Sequence, residues 1–332
     1  MGKLDWRNRA CAAVLLCVAT AIGLSAQTFT RLHRFDGTDG SSPYAGLVQA
    51  TGGNLYGTTE TGGANNYYGT VFKITPSGTL TTLYSFCSQS GCADGANPYA
   101  GVVQDTNGNF YGTTGGGGVT SGGGTVFKIT PSGTLTTLYS FCSESDCTDG
   151  ADPAGLVQAT DGNFYGTTSG GGVNGTDCGS GGCGTVFKIT PSGTLTTLYS
   201  FCPQGRVCED GRAPVGLVQD TNGMFYGTTA IGAHISDCRS VGCGTIFSLS
   251  VGLGPFVKTQ PASARVGGFV EILGTNLTGA TSVSFNGTPA VFRVVLNSLI
   301  KTTVPAGATT GTVQAVTPGG TLSSNVPFRV LP

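Results

Sequence analysis

Charge is scarce in this sequence. Of 332 residues, 16 are basic and 17 acidic, about 10% together. No basic patch or stripe is present, so a nucleic-acid partner has no electrostatic footprint here. Histidine occurs twice, at His33 and His234, and tryptophan once, at Trp6. Imidazole-based metal centres and catalytic sites are therefore hard to assemble. A tryptophan platform for sugar stacking is missing once the first residues are removed. After those residues no apolar run approaches the roughly 20 needed to span a membrane as a helix.

The first 26 residues read as a signal peptide. Lys3, Arg7 and Arg9 make a basic start diluted by Asp5, Ala10 to Leu24 is mostly apolar, and Leu24, Ser25 and Ala26 offer a cleavage site. An uncleaved anchor is the alternative. A lipid at Cys17 is disfavoured by Leu16, which stands where a small residue is expected. Cleavage leaves 13 basic residues against 16 acidic ones. The expected location is secreted or cell surface.

Cys11 and Cys17 leave with the leader. The remaining ten cysteines form five close pairs: Cys87/Cys92, Cys142/Cys147, Cys178/Cys183, Cys202/Cys208 and Cys238/Cys243. In an exported chain an even set of this kind reads as a disulfide framework. Metal binding by the pairs is the competing reading. With so little histidine and an oxidising destination, neither a metal nor another cofactor is expected.

What the sequence has in abundance is glycine, 57 residues, and repetition. One 19-residue block stands unchanged at Gly69–Cys87, Gly124–Cys142 and Gly184–Cys202. A second block, close to Gly-Leu-Val-Gln followed by Gly-Asn-Phe-Tyr-Gly-Thr-Thr, starts at Gly46, Gly101, Gly155 and Gly216. Each unit reads as four strands, here a to d. Asn-Gly or Asp-Gly turns join a to b, and Pro-Ser-Gly turns join c to d. Repeated four-stranded antiparallel units predict a β-propeller.

The fourth unit, Gly216 to Ser250, lacks a d strand. Thr28 to Phe35 aligns with the d strand Thr79 to Phe86. A four-bladed ring closed by the N-terminal strand is therefore expected, which would remove exposed sheet edges. Two chains pairing into a larger ring is the alternative, and the oligomeric state stays open. All ten mature cysteines fall in b–c or d–a loops. Those loops should share one face, where a rigid scaffold presents variable segments.

The repeat stops near Ser250, residues 251–254 read as a linker, and 255–332 change character. Short alternating strands are predicted at Phe269–Leu273, Ser282–Phe285, Val291–Val295, Leu299–Val304, Thr312–Val316 and Val326–Val330, with one more near Phe256. They suggest an Ig-like β-sandwich.

The order Gly-Asn-Phe-Tyr-Gly-Thr-Thr, Gly-Thr-Val-Phe-Lys-Ile-Thr, Leu-Tyr-Ser-Phe within the 27–250 segment resembles the GloVer tandem repeat of bacterial exported choice-of-anchor proteins. That resemblance implies export and surface association and carries no catalytic residues. Residues 255–332 resemble an IPT/TIG domain, through Gln260 to Ala262, Val270 to Leu277, Val283 to Gly287, Val304 and Pro305. This implies a spacer or adhesion module.

The recurrent Asp-Gly of the d–a loop, at Asp39, Asp94, Asp149 and Asp210, reads first as turn chemistry. Carboxylates gathered at a ring entrance, as for calcium, are the sharper alternative. Positions that break the repeat are the candidate ligand contacts. They are Tyr67 and Tyr68 in the first b–c loop, with Asn65 and Asn66 beside them, and Arg206, Glu209, Arg212, His234, Asp237 and Arg239 near the last loops. No catalytic set is assigned. The expected function is non-catalytic binding of an extracellular protein or glycan, or scaffolding. A polysaccharide hydrolase or lyase and a surface-layer component are the alternatives.

Overall fold

The computed structural model describes residues 27–65, 67–119, 122–173, 178, 181–203, 208–233 and 242–332. The chain divides into Met1–Arg34 and Phe35–Pro332. Residues 27–34 carry no helix or strand. Among the described residues the remainder is strands, turns and loops, with short 3-10 turns such as those at Ser90–Cys92 and Ser145–Cys147.

Three repeats form four-stranded antiparallel meanders. The first holds β1 (Val48–Gln49), β2 (Leu55–Thr59), β3 (Thr70–Ile74) and β4 (Leu80–Ser85). The second holds β5 (Val103–Gln104), β6 (Phe110–Thr114), β7 (Thr125–Ile129) and β8 (Leu135–Ser140). The third holds β9 (Ala151–Gln158), β10 (Phe164–Gly170), β11 (Thr185–Ile189) and β12 (Leu195–Ser200). The fourth stops at three: β13 (Arg212–Gln219), β14 (Phe225–Ile231) and β15 (Ile246–Leu249). The segment expected to close the ring forms no strand, so among the described residues the outer edge of β15 is unpaired.

Identical sequence gives identical geometry. The c–d pairs carry the same register shift at Val71/Phe72, Val126/Phe127 and Val186/Phe187. At the c–d turn Gly78 takes a φ of +94°, and the Thr75 hydroxyl accepts the Thr79 amide at 3.0 Å. The middle strand Phe110–Thr114 is buried along its whole length. Neighbouring repeats cover both its faces, which is why it lacks the alternation of a half-exposed strand.

Aromatic pairs stitch successive repeats together. Tyr56 stacks on Phe110 at 4.0 Å, Tyr111 on Phe164 at 4.1 Å and Tyr165 on Phe225 at 4.4 Å. Phe86 meets Phe127 edge-on at 5.2 Å, and Phe141 meets Phe187 at 5.1 Å. Phe35 meets Phe72 in the same way at 5.3 Å. Phe35 thus occupies, against the first repeat, the place that each d-strand phenylalanine occupies against the next repeat.

The C-terminal sheets follow a different plan. One contains β16 (Lys258–Gln260), β18 (Phe269–Leu273), β22 (Leu299–Thr303) and β21 (Phe292–Leu296). Its partner contains β20 (Thr288–Pro289), β19 (Ser282–Phe285), β23 (Val313–Thr317) and β24 (Gly320–Ser323). β17 (Ser263–Arg265) pairs in parallel with β25 (Arg329–Leu331). Alternate residues, Val270 and Ile272 facing Val283, Phe285, Val313 and Ala315, fill the space between the sheets. The strands starting at Phe269, Ser282 and Leu299 begin where the alternation predicts. The last strand begins later, at Arg329 rather than Val326, after Phe328 turns into the core.

This sandwich touches the a–b turns of two repeats. Thr221 bonds Thr275 at 3.0 Å and its carbonyl accepts the Phe256 amide at 2.9 Å. The Lys258 ammonium donates to the Gln219 carbonyl. On the first repeat, the Arg329 guanidinium donates to the Ala50 carbonyl at 3.5 Å.

Candidate binding face

The b–c and d–a loops lie together, as expected from a meander with short a–b and c–d turns. The Gly118 amide of one b–c loop donates to the Cys92 carbonyl of the d–a loop before it, at 2.9 Å. The Gly172 amide does the same to Cys147 at 2.9 Å, and Ala233 to Cys208 at 2.8 Å. Contacts also run the other way round, from Asn97 to Tyr68 at 2.8 Å, Asp152 to Gly123 at 2.9 Å and Ala213 to Cys183 at 2.9 Å. Loops of neighbouring repeats are thereby joined into one belt.

Disulfides pin this belt at Cys87–Cys92, Cys142–Cys147, Cys178–Cys183 and Cys202–Cys208. Cys243 is disulfide-bonded as well, while its expected partner Cys238 lies outside the described residues. In the third repeat two bridges converge. The sulfurs of Cys178, Cys183, Cys202 and Cys208 all lie within 4.8 Å of one another. As disulfides they hold no thiolate for a metal, so this cluster is a candidate metal site only in a reduced chain.

The repeated aspartates serve the loops. The fully buried Asp94 carboxylate accepts the Tyr84 hydroxyl at 2.7 Å, the Ser88 amide and hydroxyl at 2.9 Å, and the Gln89 amide at 3.2 Å. Burial works to raise its pKa, but those donors outweigh it and hold the carboxyl below its usual value. The Tyr84 hydroxyl is pushed up to about 12, first by burial and then by its bond to the Asp94 carboxylate. Asp149 accepts Tyr139 at 2.8 Å and Ser143 at 2.9 Å, and Asp210 accepts Tyr199 at 2.8 Å and the Cys202 amide at 2.9 Å. Asp36 and Asp39 bond within their own turn. These side chains fold back on their loops, which is the turn reading.

Tyr67 is 75% exposed, with a φ of +79°, and Tyr68 is 38% exposed. The Asn97 side-chain amide reaches the Tyr67 carbonyl at 3.4 Å and the Glu60 carbonyl at 3.2 Å. Two residues after Asn97, the Tyr99 hydroxyl donates to the Pro153 carbonyl at 3.3 Å. Burial, followed by the charges of Asp152 and Glu60, raises its pKa. Desolvation also raises the Asp152 carboxyl. Sequence reasoning selected Tyr67 and Tyr68 but missed Tyr99, Asn97, Glu60 and Asp152. The available signal was the residue before each loop proline: Ser42, Asn97, Asp152 and Ala213 all take positive φ yet differ in type.

The second expected set is only partly placed. Glu209 borders a groove along β15, and Arg212 opens β13. Arg206, His234, Asp237 and Arg239, together with Asn66, lie outside the described residues. Tyr67 and Tyr68 belong to the first repeat and Glu209 and Arg212 to the fourth, so the two sets sit on different repeats.

Comparison with known proteins adds family matches. The Gloeobacter/Verrucomicrobia repeat model matches residues 18–177 and 144–289, and the IPT/TIG domain model matches residues 257–330. No curated protein matches. Among solved structures, a PQQ-bound aldose sugar dehydrogenase from Streptomyces coelicolor aligns at 13% identity and a TM-score of 0.39, over 90% of this chain and 83% of that one. A putative oxidoreductase (glucose dehydrogenase) from Thermus thermophilus aligns at 12% identity and 0.38, over 87% and 95%. Sucrose-6-phosphate hydrolase from Lactobacillus gasseri aligns at 10% and 0.38, over 89% and 75%. Among the described residues no helix is long and apolar enough to cross a membrane.

Proposed function

Because the chain belongs to the Gloeobacter/Verrucomicrobia repeat family and carries an IPT/TIG domain, we propose that it is an exported, non-catalytic binding or scaffold protein. The belt of b–c and d–a loops is its contact surface, for an extracellular protein or glycan. The observation that carries this reading is the joining of loops from adjacent repeats by hydrogen bonds and local disulfides. A surface so constrained loses little entropy on binding, and preorganisation favours affinity. The exposed Tyr67 and Tyr68 supply flat, amphipathic contact area next to the Asn97 amide, which also reaches the Glu60 carbonyl.

A hydrolase or lyase reading would need free carboxylates facing a substrate. Asp94, Asp149 and Asp210 are committed to loop donors. Asp152 and Tyr99, both raised first by burial, stand apart from those loop-bound carboxylates.

Glycan and protein arrays probed with the oxidised chain test the proposal. Binding should fall at least tenfold in the Tyr67→Ala/Tyr68→Ala variant with thermal stability unchanged. Silence on both arrays, or binding indifferent to that variant, would overturn the tyrosine surface. Release of reducing ends from a polysaccharide, lost in Asp152→Asn, would favour the enzyme instead.

A further inference from the structure

The three junctions between successive repeats are built from one set of contacts. A buried middle-strand threonine reaches the next repeat's backbone: Thr58 to the Ala100 carbonyl at 2.9 Å, Thr113 to Ala154 at 2.6 Å, Thr167 to Pro214 at 3.4 Å. A c-strand valine, Val71, Val126 or Val186, is sealed at the junction with at most 1% exposure. The following repeat answers with a buried a-strand residue, Val102 or Leu156. Each junction is thus two half-surfaces, one leaving a repeat and one entering the next.

Both half-surfaces recur uncovered at the ends of the series. In the fourth repeat the leaving positions are Tyr226, Thr228 and Ile246. Thr228 is exposed and Ile246 is 82% exposed, where its three counterparts are sealed. Val215, Val218, Tyr226, Thr228 and Ile246 line an open groove of about 400 Å³. In the first repeat the entering residue Leu47 is 51% exposed, where Val102 is 6% and Leu156 9%. Among the described residues neither Ile246 nor Leu47 is covered as its sealed counterparts are. Instead the sandwich holds both turns, the fourth repeat through Thr221 and the first through Ala50.

We propose that these two half-surfaces join between copies, the open face of the fourth repeat receiving the first repeat of a second copy, head to tail. The occupant follows from the three junctions already formed, since the free surfaces carry the same residue types in the same order. Leu47 of the second copy takes the place of Val102 and Leu156, and Thr228 gains a carbonyl at the Ala45 position, equivalent to Ala100 and Ala154. Such an interface is heterologous, so it closes as a ring of copies or extends as a filament. It is independent of the loop belt and of what that belt binds.

The experiment is sedimentation velocity on the oxidised chain recovered from an exporting host. Wild type should associate with rising concentration. Ile246→Glu and Leu47→Glu, at exposed positions, should each lose association and keep the wild-type melting temperature. Thr228→Arg should repeat the Ile246→Glu result if that variant melts early. Mixed one to one, Ile246→Glu and Leu47→Glu each retain one intact half-surface and should give two-chain particles and nothing larger. A wild type that stays monomeric at every concentration would overturn the proposal, the ring then closing on itself. Association persisting in Leu47→Glu, or no pairing in the mixture, would equally overturn the head-to-tail arrangement.

Discussion

The Tyr84 hydroxyl donates to the buried Asp94 carboxylate at 2.7 Å, and the same bond joins Tyr139 to Asp149 and Tyr199 to Asp210. It ties the end of each d strand to the loop that follows, so strand and loop are ordered together. Asp94→Ala would strand the buried donors of Ser88, Gln89 and Tyr84. Such a loss should cost roughly 2–4 kcal/mol in urea unfolding. Tyr84→Phe leaves the carboxylate its two amides and the Ser88 hydroxyl, and should cost only about 1 kcal/mol.

The same pair gives stability a pH signature. The folded Asp94 carboxyl titrates below its ordinary value of 3.8, so its contribution is present above that value and fades as pH falls through the folded one. Tyr84 behaves in the opposite sense. Its pKa rises from 10.0 to about 12 on folding, so the folded state holds the proton more tightly and stability declines between those values. Melting temperatures of wild type and Tyr84→Phe should converge as pH rises from 10 towards 12 and this contribution disappears.

The local bridges should matter for the loops more than for the sheets. Cys142 and Cys147 are five residues apart in sequence. Closing so small a loop is worth about 2 kcal/mol in the chain-entropy model. Cys142→Ser/Cys147→Ser should lose that much, with strand content by circular dichroism unchanged. Mass mapping of non-reduced peptides should find each bridge within a single loop.

The inter-repeat threonines provide an internal control. Thr113→Val removes the hydroxyl that meets the Ala154 carbonyl in a buried setting, at an expected cost of roughly 1–2 kcal/mol. Thr228→Val makes the same change at the exposed counterpart. In the isolated chain it should leave the melting temperature within error.

Gly112 illustrates a different requirement. A Cβ there would stand 2.6 Å from the Phe127 ring, which is itself wedged against Phe86. Gly112→Ala should destabilise by roughly 1–3 kcal/mol through overpacking, measurable as a lower denaturant midpoint with unchanged slope.

Much of this architecture was legible in the residues. Three unchanged copies of one block force three identical c–d hairpins, and Asn-Gly, Asp-Gly and Pro-Ser-Gly turns set their lengths. Local pairing at short range needs no tertiary information, so disulfides between cysteines five or six residues apart were equally readable. The alternation in 255–332 revealed the sandwich strands for the same reason. Tyr99 and Asp152 were not legible as site residues, because their loops are joined to neighbouring repeats only by bonds such as Tyr99 to Pro153 and Asp152 to Gly123.

The sequence alone determined the all-β repeat, the strand order within each unit and the local cysteine pairs, since hydrogen bonds and turns between neighbouring segments obey local chemistry. Three things were decided only by the tertiary structure. It committed the recurrent aspartates to their own loops and joined those loops into one belt. It also left Ile246 bare and Leu47 half exposed, where Val71, Val126 and Val186, and Val102 and Leu156, are sealed. Those outcomes depend on which repeat meets which, and near-identical repeats carry no local signal that distinguishes an inner junction from an open end.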